Sequence, residues 1–236
     1  MKVAILLPGL IRNIDKTYKS FFANVIESNP KCKIDIYSAF WNKTHIRKRI
    51  EKNNIPSSIV SIDSTKVVST YNPIDYTVLN YDFKQPKFLE QAEKIHPLFP
   101  KKHSNIEFCR NSILSQFYTW KQAVNLIPVN NDYDLVLKTR FDIIHTSPID
   151  FASLDPSCMS AGGKWGEKFM IDFAFASSYR NMVKLLNQCY DKVNDNSFVS
   201  SFSKLAIPEV ILTTLIEDLN IPIKYDVIKT HLDKNL

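Results

Sequence analysis

Arg140 and Asp142 are the residues of this chain whose types and spacing point most directly to chemistry. They follow Asp134-Leu135-Val136-Leu137-Lys138, a mostly apolar run that reads as a buried strand and ends abruptly in charge. Residues two apart on an extended chain fall on the same side, so a guanidinium and a carboxylate would stand next to each other. Arginine takes phosphate oxygens in a fork, and aspartate holds a divalent cation through oxygen. The pair therefore suits a metal-bridged phosphate group. It would sit outside the carboxyl end of a strand, where open α/β sheets bind their ligands.

The elements around this strand follow from pattern. Lys2–Leu7 is a first buried strand, stopped by Pro8-Gly9, and the turn after it carries Arg12 within reach of a ligand. The full GxGxxG of a dinucleotide fingerprint is absent. Apolar residues at Tyr18, Phe21, Phe22, Val25 and Ile26 predict a helix over Asp15–Ser28. A strand at Lys33–Ser38, a short helix over His45–Asn53 and a strand at Ser58–Ile62 complete a β-α-β-α-β start. Such alternation marks an α/β fold with a mixed, largely parallel sheet flanked by helices. Residues 63–103 are rich in proline and aromatics and read as an irregular excursion with a short helix near 86–95, placed to cover the site or meet an acceptor.

Ser104 and Glu107 form a capping-box pattern that opens a long helix to about Leu126. Ile113, Phe117, Trp120 and Val124 recur at helical spacing and must face the core, whereas Arg110, Ser115 and Gln116 lie off that stripe. Gly162, Gly163 and Gly166 are three of the four glycines in the chain, and Trp165 lies among them. A strand over Phe169–Ala176 then carries a single acid, Asp172. A helix capped by Ser177 reaches Val193, another opens at Pro208-Glu209, and a late strand at Ile223–Ile228 precedes His231.

The 236 residues form one domain, 1–236, and the 44% hydrophobic and 12% aromatic content fills a sizeable core. A net charge of +6 fits an anionic ligand, a phosphate-rich membrane surface or nucleic acid. No nucleic-acid motif accompanies the charge, so no nucleic-acid partner is expected. The four cysteines are scattered without a CxxC pair, which argues against a zinc ribbon or a disulfide framework and for buried reduced thiols. The first residues lack the pattern of a signal peptide, and no apolar run is long enough to span a bilayer, so the chain reads as cytoplasmic.

Taken in order, these features resemble a small GT-A-type glycosyltransferase, of the kind found in bacterial surface-polysaccharide clusters and large viruses. The likeness rests on the opening strand with Pro8-Gly9 and Arg12, and on the helix bearing Arg110, Ser115 and Gln116. Tyr133-Asp134 and Arg140-Phe141-Asp142 continue it. In that family a DxD-type motif holds a divalent metal on the diphosphate of a nucleotide sugar. Here the motif reads RxD, with the single carboxylate Asp142. Gly163 and Trp165 resemble the glycine-bearing loop near donor and acceptor. His231 resembles the C-terminal metal-ligand histidine. Glu209 resembles the acidic position that supplies the base in inverting members, and Asp172 is the other candidate base.

The resemblance implies a GT-A-like catalytic domain that moves a sugar from a nucleotide-diphosphate donor to a glycan or other hydroxyl acceptor. Mn²⁺ or Mg²⁺ would assist on Asp142 and His231. Arg12, Arg110, Ser115, Gln116, Arg140, Asp142, Gly163 and Trp165 would line the donor. The reaction would run at a cytosolic or membrane-proximal site in polysaccharide biosynthesis, with inversion and retention both open. The rival is a catalytically silent nucleotide-sugar or glycan-binding module of the same fold.

Overall fold

The computed structural model describes residues 1–46, 49–50, 53–54, 58–82, 106–166, 168–195 and 208–232. At 45–46, 49–50, 53–54, 58, 106–112 and 165 it describes the backbone alone. The apolar opening run forms β1 (Lys2–Gly9), which ends where Gly9 adopts φ 116°, a conformation that favours glycine. Next comes α1 (Ile14–Phe21), continuing as a π-helical turn over Phe22–Ile26. β2 spans Lys33–Trp41.

The helix expected over His45–Asn53 is not formed. The stretch instead holds β3 (Lys43–Ile46), β4 (Arg49–Ile50) and β5 (Asn53–Asn54), with β3 paired to β6 (Ser58–Ser61). Its polar sequence offers no apolar stripe for a helix to bury, so pairing with β6 decides its form.

Within the described part of the excursion, residues 63–82, two regular elements form. Asp63 caps α2 (Ser64–Tyr71) by accepting from the Thr65 and Lys66 amides, and Asn72 ends it at φ 45°. β7 (Asp75–Leu79) follows. The expected helix near 86–95 and the Ser104 cap lie outside the described residues.

Then come α3 (Ile106–Asn125), β8 (Leu135–Lys138), β9 (Ile143–His145), β10 (Met159–Ala161), β11 (Lys164–Trp165) and β12 (Phe169–Met170). The chain continues through β13 (Phe175–Ser177), α4 (Tyr179–Val193, capped by Ser178), α5 (Pro208–Asp218), β14 (Ile223–Lys224) and β15 (Thr230–Leu232). The single strand expected over 169–176 is thus two short ones, broken around Asp172. The late strand ends at Lys224, four residues short of its expected end at Ile228.

Seven strands make the central sheet in the order β14-β10-β13-β8-β1-β2-β7. Only β13 runs against its neighbours, so the sheet is mixed and largely parallel. Alternation splits the core in two. Ala4, Leu6 and Val136 face a layer built on Phe117, Trp120, Leu185 and Leu212 of α3, α4 and α5. Val3, Ile5, Leu7, Leu135 and Leu137 face Phe21, Val25, Val67 and Tyr71 on the other side. Cys158 and Cys189 are buried free thiols, and Cys32 is a partly buried one. Among the described residues no helix is long and apolar enough to cross a membrane.

From β1 the chain proceeds outward through β2 and β7 on one side, while β8 pairs on the other. The strand order therefore reverses between β1 and β8. Their carboxyl ends deliver Gly9 and the Arg12 turn, and Lys138 through Asp142, to the same end of the sheet.

Candidate active site

The turn after β8 is held from several directions. The Thr139 amide donates to the Leu6 carbonyl at 3.0 Å, which carries the β1 ladder one residue past β8. Thr17 of α1 donates its hydroxyl to the Phe141 carbonyl. The Phe141 ring meets Phe40 and Tyr71 edge-on in the core below. With Phe141 anchored inward, Arg140 and Asp142 are set side by side as alternation requires.

Arg140 and Asp142 form a two-pronged ion pair. Nε donates to Oδ1 and Nη2 to Oδ2, both at 2.8 Å. Nη1 of Arg140 also lies 3.7 Å from Asp172 Oδ2. That same oxygen accepts from the Gln116 side-chain amide of α3. Gln116, Asp172, Arg140 and Asp142 therefore form one continuous polar chain. Phe173 places its ring 5.6 Å from the Arg140 guanidinium carbon.

Lys138 lies beneath the chain, fully buried, and was not expected there. Its ammonium donates to the Asp172 carbonyl and sits 4.1 Å from the Trp120 ring centroid and 5.1 Å from that of Phe175. The lysine thus takes a carbonyl from the stretch between β12 and β13, which is where the expected single strand breaks. Alternation gives the signal that would have found it. Lys138 shares its face with Val136, so it must enter the α3 layer and not solvent.

Glu209 stands in the first turn of α5. The Thr213 hydroxyl donates to the Glu209 carbonyl and accepts from the Met170 amide, both at 2.8 Å. This bridge ties the start of α5 to β12, next to Asp172.

The charges perturb one another as a buried cluster should. Burial, then the charge of Asp172, raises the Glu209 pKa. Burial alone would raise Asp142, but the Arg140 charge and fork outweigh it, with help from Arg12, and leave the pKa low. Burial works against the Arg140 charge, yet Asp142 and Asp172 overcome it and raise its pKa. Burial lowers Lys138 to about 7, Asp172 and Asp142 oppose that shift, and Arg140 adds to it.

The structure brings together Arg12, Gln116, Arg140, Asp142, Asp172 and Glu209 of the expected residues, and adds Lys138. Ser115 is buried in α3 one position before Gln116. The Gly163 carbonyl accepts from the Ile171 amide at 3.1 Å. A Cβ on Gly162 would lie 3.0 Å from both the Ile228 carbonyl and the Thr230 hydroxyl, so that glycine admits a crossing chain segment. His231 is exposed on β15, opposite Ile144 of β9. The side chains of Arg110 and Trp165 lie outside the described residues.

A divalent cation fits this donor set poorly. It would need carboxylate oxygens turned toward it. Both oxygens of Asp142 already accept from Arg140, and Oδ2 of Asp172 accepts from Gln116. Among the described residues, no three His, Cys, Asp or Glu side chains gather where they would hold a metal.

No family model matches the sequence, and no curated protein matches it. Among solved structures, mouse xyloside xylosyltransferase 1 in its apo form is similar, with 8% identity and a TM-score of 0.45, over 95% of this chain and 85% of that one. A likeness of that degree assigns no role to any residue here.

Proposed function

We propose that this chain is a glycosyltransferase that moves a sugar from a nucleotide-diphosphate donor to a hydroxyl of a glycan acceptor. One observation carries the reading. A cluster of perturbed acids and cations stands at the carboxyl ends of β1 and β8, where the strand order reverses.

The roles divide by environment. Arg140, with Arg12, offers positive charge to the diphosphate as the sugar–oxygen bond breaks and negative charge gathers on the leaving phosphate. Glu209, whose pKa is raised by burial and by Asp172, is the group suited to take the proton of the acceptor hydroxyl. That oxygen then forms the new bond to the sugar carbon, and the nucleoside diphosphate departs. Asp172 is engaged by Gln116 and lies beside Arg140, which suits it to hold the guanidinium in place.

The test is a panel of nucleotide sugars, with release of nucleoside diphosphate as the readout. Glu209→Gln should slow transfer about 10²- to 10⁴-fold and leave nucleoside diphosphate affinity unchanged. Tight donor binding without turnover by the unaltered chain would favour the silent binding module.

A further inference from the structure

We propose that Arg140 takes the place of a divalent cation in this site, so that the donor's diphosphate binds directly to its guanidinium and needs no metal ion. The inference rests on the transferase reading above and specifies its cofactor requirement.

The geometry of the pair is the first argument. A metal bridging Asp142 to phosphate must sit on a carboxylate oxygen that faces the ligand. Here each oxygen of Asp142 accepts an Arg140 N–H at 2.8 Å. The side chain of Asp142 is 4% exposed and that of Arg140 is 24% exposed, so the guanidinium, not the carboxylate, is the group presented to a ligand.

The second argument is position. Arg140 lies between two acids, paired with Asp142 and 3.7 Å from Asp172. A bridging cation would occupy the same place. Unlike an ion it is covalently fixed, and it stays protonated at any working pH. The fork uses Nε and one hydrogen of Nη2, which leaves hydrogens on Nη1 and Nη2 outside it. These are donors of the kind that recognise phosphate oxygens. Gln116 and Lys138 fix Asp172 through its carboxylate and its carbonyl, and so keep the second acid from swinging toward an incoming ion.

Calorimetric titration of the full chain with UDP, GDP, CDP and ADP, in EDTA and then in Mn²⁺, tests the proposal. Electron paramagnetic resonance of Mn²⁺ alone gives a second readout that does not depend on turnover. At least one nucleoside diphosphate should bind in EDTA as tightly as in Mn²⁺, and the free ion signal should be undiminished by the protein. Arg140→Lys keeps the charge but loses the fork, and should weaken that diphosphate about tenfold or more while leaving the matching nucleoside unaffected. Arg140→Asp should acquire Mn²⁺ binding that the unaltered chain lacks.

Binding only with Mn²⁺ would overturn this proposal and leave the transferase reading standing. Binding in EDTA that Arg140→Lys does not weaken would overturn the assignment to Arg140. Failure of every nucleoside diphosphate to bind, with metal or without, would overturn the transferase reading and this proposal together.

Discussion

At the amino end of β8 Tyr133 donates to Asp35 at 2.7 Å and shares a 2.8 Å hydrogen bond with Tyr37, while at the carboxyl end Lys138, Arg140, Asp142 and Asp172 crowd around one turn. Because the single Tyr133 proton goes to Asp35, Tyr37 must be the donor to Tyr133. Burial raises the pKa of both phenols, so the two hydroxyls at its centre stay uncharged. Its ions, Lys2, Asp35 and Asp134, are none of them fully buried, and Lys2 also rests 4.3 Å from the Tyr133 ring centroid. The carboxyl end is the reverse. There the charges are inside, a lysine is pushed toward neutrality and a glutamate toward protonation. A fold can satisfy its polar groups cheaply, as the amino end does. Buried charges persist where they act on something.

The largest effect should come from Arg140→Met. It removes one partner of a buried pair and leaves Asp142 without compensation, which should cost about 3–5 kcal/mol in denaturant unfolding at neutral pH. The low pKa of Asp142 gives the sign of the acid response. Its pairing stabilises the fold above the unfolded carboxylate pKa of about 3.9 and is lost as pH falls through the lower folded value. The variant should therefore lose less stability than the unaltered chain on acidification. Asp35→Asn at the amino end should cost under about 1.5 kcal/mol. Equal losses at the two ends would break the contrast.

Lys138→Met should produce the next effect, seen as a slope. In the folded chain Lys138 releases its proton near 7, and in the unfolded chain near 10.5. Between these values the unfolded state binds more protons, so stability gained from this residue rises with pH, by up to about 1.4 kcal/mol per pH unit. Below that window its charged form is a penalty. Unfolding measured from neutral to alkaline pH should show the variant lacking this rise, so that its stability relative to the unaltered chain falls steadily as pH increases. A constant difference would mean that Lys138 keeps its charge against Trp120 and Phe175 throughout.

Much of this contrast is legible in the amino-acid sequence. β1, β8 and the stripe Ile113, Phe117, Trp120, Val124 are set by apolar periodicity, and all are buried as expected. The Arg140–Asp142 pair follows from a spacing of two. Other features depend on distant partners that periodicity does not contain. β3 exists because β6 returns to it, and the break after β12 coincides with the Lys138 bond to the Asp172 carbonyl. A few were legible and missed. The Asp63-Ser64-Thr65-Lys66 cap announces α2, and Lys138 shares the parity of Val136. The effect of Asp172 on Glu209, 37 positions away in sequence, has no local signature at all.

The smallest effect sharpens the comparison most. Tyr133→Phe removes the hydroxyl that both donates to Asp35 and accepts from Tyr37, leaving the ring and its packing in place. Asp35 is only partly buried, so water can replace the lost donor there. The Tyr37 hydroxyl, which is buried, bears the larger share of the cost. The net loss should be about 1 kcal/mol, flat across the neutral pH range, because the Tyr37 pKa stays high. Nucleoside diphosphate affinity should be untouched. β8 is only four residues long between the two clusters, so any loss of affinity in Tyr133→Phe would show that the strand couples its ends. The amino-end hydroxyls would then belong to the site at the other end of the strand.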